Sequence, residues 1–345
     1  MAHELEFGLD TFGDVTEDGA GSTLSYAQVI RNIVEQAKLA DGLGINFIGI
    51  GEHHRDDFAV SSPEMVLAAI ASVTTNIRLG SAVTVLSSDE PVRVYERFAT
   101  LDAVSNGRAE LIVGRGSFTE SFPLFGLPLQ QYEELFEEKL ELFTELLKEK
   151  PVTWTGRLRP PLTDQEVYPK TENGSIPTWV GVGGSPESVV RAAKYGLPLT
   201  LAIIGGQSER FAPYADLYRR ALEQFGHPFT PIGVHSPGHI AETDEQAAEE
   251  LWPYYSAMHS RIGAERGWGP MTMEQYAGEV EHGALYVGSP ETVAAKIVAT
   301  TRALGNQRFD LKYANGRMPH EKLMNSIRLY GEEVIPRVKA ELAKD

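Results

Sequence analysis

The chain of 345 residues contains no cysteine, which excludes disulfides, thiolate metal ligands and thiol nucleophiles. Basic residues are scarce: 31 Lys and Arg stand against 48 Asp and Glu, a formal charge of −17. A surface of that sign repels phosphate backbones and anionic lipid, so neither nucleic acid nor a membrane is an expected partner. No apolar run approaches the roughly 20 residues of a spanning helix. The opening residues, Met1 to Glu6, carry neither the basic nor the apolar segment of a secretory signal, and a cytoplasmic protein is expected. A glycine-rich dinucleotide turn after the first strand is also missing, which counts against a doubly wound nucleotide-binding sheet.

What is present is a regular alternation of strand and helix signals. Apolar strands are expected over 5–11, 47–51, 77–85, 109–113, 178–182, 199–204, 233–240 and 309–313. Between the first two, Ser25 and Gln28 match a capping box, and Val29, Ile33, Ala37 and Ala40 follow at helical spacing. That helix should stop near Gly42 and Gly44. Ser-Pro-Glu, a capping hydroxyl with proline at the first helical position, opens helices at Ser62, Ser185 and Ser289,. Eight strands separated by helices predict one parallel sheet, closed as a (β/α)₈ TIM barrel spanning 1–345 as a single domain. Two stretches exceed the minimal barrel. Residues 151–176 form an insertion after strand four, with a Pro160-Pro161 turn between β-like runs. Residues 257–288, after strand seven, lack clear periodicity and are expected to be a mobile lid.

In such a barrel the C-terminal strand ends form the active face. The sequence places Asp10 and Phe12 there after strand one, and Glu52-His53-His54 after strand two. Ala82-Val83 lies in strand three, Arg115 after strand four, and Gly183-Gly184-Ser185 after strand five. Two adjacent imidazoles can donate a proton, accept one, or bind a metal. A metal would need ligands from other strand ends. Asp10 is available but no second His cluster is, so acid–base work is the preferred reading and no metal is expected. The segment Gly183 to Ser188 admits close backbone approach and presents helix N–H groups, with Ser185 and Ser188 able to reach one phosphate and Arg115 supplying a cation. Read alone, the same serine could simply cap its helix.

The ordered set Glu52-His53-His54, Ser62-Pro63, 79–83, Pro91-Val92-Arg93, 101–108 and Gly114-Arg115-Gly116 resembles the bacterial luciferase-like, flavin-dependent monooxygenase family, as does 287–293. The resemblance covers most of the chain and is strongest over 45–120. It implies that His53 lies beside the flavin and that Ala82-Val83 is a non-prolyl cis peptide in a bulge beneath the isoalloxazine. It also implies that Arg115, Gly183, Gly184, Ser185 and Ser188 surround the flavin phosphate. Gly184 departs from the acidic residue that luciferase carries before its phosphate-binding serine. Glu96 matches a helix position facing the partner subunit, implying a homodimer.

The reaction so implied uses reduced FMN and O₂ to oxygenate a small organic substrate. His53 handles a proton, and reducing equivalents come from NAD(P)H directly or through a separate flavin reductase. The family also contains deazaflavin-dependent enzymes that transfer hydride; Glu52-His53-His54 looks more like the FMN branch. A non-catalytic flavin-binding protein and a metal-dependent hydrolase using Glu52, His53 and His54 are the remaining alternatives.

Overall fold

The computed structural model describes residues 4–344. Eleven strands run in chain order: β1 (Glu6–Thr11), β2 (Phe47–Ile50), β3 (Arg78–Val85), β4 (Ala109–Gly114), β5 (Val152–Trp154), β6 (Leu162–Gln165), β7 (Thr178–Val182), β8 (Leu199–Ala202), β9 (Ile232–Ile240), β10 (Tyr286–Gly288) and β11 (Arg308–Lys312). Eight of them pair in parallel in the order β1-β2-β3-β4-β7-β8-β9-β11, and β11 pairs back onto β1. The sheet is therefore a closed barrel, and it contains every strand expected from the sequence. β5 and β6 form the antiparallel hairpin of the 151–176 insertion. β10 adds to the C-terminal end of β9.

Local signals explain the helix boundaries. Ser25 accepts a hydrogen bond from the Gln28 N–H at 3.2 Å, and Gly44 takes the left-handed conformation just past that helix. Ser185 and Ser289 cap their helices in the same way. Ser62 makes no such bond; the proline at the first helical position defines that end,. The stretch 257–288 differs from its expected irregular form. The helix Asp244–Arg266 runs well into it, Met273–Glu281 forms a second helix, and β10 completes it. The long helix buries only Ala247, Leu251, Tyr255 and Gly263, too few positions for an apolar stripe to be visible in sequence. Among the described residues no helix is long and apolar enough to cross a membrane.

Most apolar side chains lie between the strands and the surrounding helices in one continuous core. The barrel interior is different, being filled in layers by polar as well as apolar side chains. At the N-terminal end Arg308 is fully buried over the rings of Phe47 and Trp179, at 3.7 and 4.7 Å. It pairs there with Glu110 and Asp310. The bottom of the barrel is thereby closed by a charged plug, and the open space lies at the other end.

Candidate active site

The C-terminal mouth is built around Phe12. His53 packs on its ring at 4.6 Å between centroids and His235 at 5.9 Å, while the Lys312 ammonium sits 4.7 Å from its centre. His53 comes from the end of β2 and is held by its N–H donating to the Val60 carbonyl. Phe58 and Phe118 complete an aromatic collar around it, at 4.3 and 5.4 Å. Burial, reinforced by the positive charge of Lys312 and then of His54 and Arg55, pushes the His53 imidazole down to about 3. It is neutral at physiological pH, and its Nδ1 is buried without a partner. Such a ring can give or accept a hydrogen bond but does not carry a positive charge to a reaction.

Glu52 and His54 do not face the same space. One Glu52 oxygen bonds His54 Nε2 at 2.9 Å and the other accepts the Val85 N–H at 2.8 Å. The Glu52 N–H reaches the Val83 carbonyl. Glu52 thus fastens the end of β2 to the end of β3. Among the described residues no three His, Asp or Glu side chains converge as a metal-ligating group.

β3 carries the feature implied for it. The Ala82–Val83 peptide is cis, and the pairing of β3 with β4 slips by one residue between Ala82 and Thr84. The slip turns Val83 inward, where the chain has glycine opposite: an added Cβ would meet Val83 at 2.7 Å from Gly114 and at 3.0 Å from Gly181. Valine therefore forms a raised apolar shelf on one side of the mouth, and the facing strands give up their side chains to make room for it.

At the edge of that shelf lies a cationic patch. Ser185 Oγ accepts the Ser188 N–H at 3.2 Å and lies 2.8 Å from Ser188 Oγ. Gly183 beside it is exposed, and Gly184 is in the left-handed region with φ +98°. Arg115 pairs with Glu133 and lies over the Tyr132 ring. Arg191, not singled out in the sequence, completes the patch. Its guanidinium donates to Ser188 Oγ at 3.4 Å, pairs with Glu133 at 3.4 Å and is anchored by Glu137 at 2.5 Å. Its signal was its position three residues after Ser188, one turn up the same helix face. Two guanidiniums, two hydroxyls and a helix N-terminus converge, and the Glu133 carboxylate bridges the cations. That donor set suits a phosphate.

Arg55 was also missed. Its side chain is almost wholly buried and pairs with Asp57, Glu120 and Glu265 at 3.0, 2.5 and 2.7 Å. The guanidinium lies 4.6 Å over Phe118. It ties the loops after β2 and β4 to the long helix and sets the aromatic collar of His53. Glu96 lies away from the mouth, partly exposed and paired with Arg93.

Comparison with known proteins follows the same lines. The model of the luciferase-like monooxygenase family matches residues 10–307. The N-acetyl-S-alkylcysteine monooxygenase of Bacillus subtilis is 32% identical over 67% of this chain and 67% of its own. The alkanal monooxygenase alpha chain of Photorhabdus laumondii is 26% identical over 66% of this chain; the match spans only 63% of that subunit. In fold the chain is similar to monooxygenase RslO1 of Streptomyces bottropensis, with a TM-score of 0.82, 23% identity and coverage of 96% and 99%. The oxygenating constituent of 3,6-diketocamphane monooxygenase of Pseudomonas putida, solved with FMN, gives 0.78, 19%, 97% and 99%. The coenzyme F420-dependent tetrahydromethanopterin reductase of Methanopyrus kandleri gives 0.74, 20%, 97% and 99%. With the family model matching residues 10–307 and the eight parallel strands closed as a barrel, the chain belongs to the luciferase-like monooxygenase family.

Proposed function

We propose that this enzyme uses reduced FMN and O₂ to oxygenate a small organic molecule at the barrel mouth. The observation that carries the reading is the patch of Arg115, Arg191, Ser185 and Ser188 beside the Val83 shelf. An anchor for a terminal phosphate there lies next to the apolar platform of Val83, on which the flavin ring would rest. When bound, reduced FMN supplies two electrons to O₂. The substrate supplies two more. One oxygen atom becomes bonded to the substrate, and the other leaves as water with the two hydrogens of the reduced flavin.

The chain's own residues do the rest. Arg115 and Arg191 hold the phosphate, with the serine hydroxyls completing its coordination. Val83 supports the ring face. His53, neutral and walled by Phe12, Phe58 and Phe118, offers a hydrogen bond in a site from which water is excluded. Arg55 holds the long helix and the following 257–288 segment over the mouth through Glu265, in the role of a closing element. With no dinucleotide-binding turn in the chain, a separate flavin reductase is the expected source of reduced FMN, and a homodimer formed through the Glu96 face is the expected assembly.

The test supplies reduced FMN under ¹⁸O₂ with thioethers, aldehydes and cyclic ketones. One ¹⁸O atom in a product supports the reading. Hydride transfer with F420 and no oxygen uptake would replace it by the deazaflavin alternative, and flavin binding without turnover across the panel by a carrier role.

A further inference from the structure

Asp10 and His235 lie in the interior of the barrel, one layer below Phe12. His235 Nδ1 is 2.6 Å from Asp10 Oδ2, with both residues buried. Asp10 Oδ1 is sealed in and has no partner among the described residues. Among the described residues His235 Nε2 has no hydrogen-bond partner and is not a sealed polar atom, and the exposed tenth of its side chain can open only into the mouth, because the residue points inward from β9. A carboxylate on Nδ1 fixes the tautomer with the proton on Nδ1, so the free lone pair is on Nε2; it also stabilises the protonated ring.

We propose that Asp10 and His235 form the proton-exchanging dyad of this site. His235 Nε2 takes a proton from, or returns one to, the ligand bound at the mouth, and Asp10 acts as the positioning residue. The proposal rests on the mouth being where flavin and substrate sit. It separates two imidazoles that both pack on Phe12: His53, desolvated and beside Lys312, stays neutral, while His235 has a carboxylate to share its charge. Environments that push two like groups apart in this way are how acid–base roles are divided in a site. The other charged groups facing His235 are Asp310, its register partner on β11, then Lys312 with Asp14 above and Arg308 below. Lys312 and Arg308 are each committed to carboxylates, which leaves Asp10 as the unneutralised charge nearest the ring.

The dyad can be read without turnover. In protein labelled with ¹⁵N-histidine, the neutral His235 ring is expected to carry its proton on Nδ1, and its ring resonances should move when FMN is added. Asp10→Asn should weaken that tautomer preference. In the reduced-FMN assay Asp10→Asn should change the pH profile of oxygen uptake, with FMN affinity changed less than twofold. His235→Gln should abolish the pH dependence that Asp10→Asn alters, and it serves as the independent variant should Asp10→Asn not fold. A neutral ring protonated on Nε2, a tautomer indifferent to Asp10→Asn, or ring resonances indifferent to FMN overturns the dyad. The monooxygenase reading fails separately, by the absence of labelled oxygen in any product while the His235 resonances behave as described.

Discussion

Replacing Glu133 by Gln changes the proposed phosphate anchor in a direction opposite to most active-site substitutions. Its carboxylate bridges Arg115 and Arg191, where an incoming phosphate has to displace it or sit beside it. Glu133 is 57% exposed, against 28% for Arg115 and 12% for Arg191, so each ion pair is worth only about 0.2–1 kcal/mol. Repulsion between the carboxylate and a phosphate about 4 Å away adds about 1 kcal/mol in water and less in salt. Removing the charge should therefore favour FMN by about 0.5–1.5 kcal/mol, roughly a twofold to tenfold lower Kd. Arg191 stays in place because Glu137 still anchors it. Riboflavin, without the phosphate, should be unaffected. Flavin-fluorescence titrations of both ligands at low and high salt make the comparison, and the gain should shrink at high salt. Weaker FMN binding in Glu133→Gln, or an equal change for riboflavin, would refute the reasoning.

Arg115→Ala should weaken FMN about tenfold while leaving riboflavin nearly unchanged, as measured in the same titrations; equal losses would remove the phosphate contact. His53→Ala is expected to keep flavin affinity and lose turnover, by about 10²-fold if its hydrogen bond acts in the rate-limiting step. The pH dependence follows from burial. With the folded His53 near 3 and an ordinary value of 6.5, the unfolded chain binds the proton first, so the contribution of this residue to stability is complete above about pH 6.5 and is lost as the pH falls towards 3. Thermal melts of native and His53→Ala protein across that window should diverge in slope, the variant being flatter. Arg308→Met leaves Asp310 without its cation inside the barrel and Glu110 with Arg78 alone, and should cost about 3–5 kcal/mol in denaturant unfolding; a loss under 1 kcal/mol would mean that the plug is not held by charge.

The barrel was legible because each strand is a short apolar run and several helices announce themselves with capping hydroxyls and Ser-Pro-Glu. Such signals are local, and so survive in a single sequence. The placement of His53, Arg115, Ser185 and Ser188 at strand ends was legible for the same reason, since the topology converts chain order into position around one mouth. Arg191 and Arg55 were not found. Each lies close in sequence to a residue that was noted, but its role depends on Glu133 and Glu137, or on Glu120 and Glu265, whose approach is a matter of tertiary packing. His235 is the instructive case. The run 233–240 holds two histidines, His235 and His239, and nothing local separates them; the partner of His235, Asp10, is 225 residues away, and only barrel closure through β11 brings them together. The 257–288 segment was read as irregular because its helices bury few side chains, and periodicity reports burial rather than backbone conformation.

The most direct test of the account is equilibrium binding of FMN, riboflavin and F420 to the purified apoprotein, measured side by side in one buffer of stated salt. FMN is expected to bind at least about tenfold more tightly than riboflavin, with a difference that falls with salt, and F420 is expected to bind more weakly than FMN. Tighter binding of F420, or equal affinity for FMN and riboflavin, would contradict it.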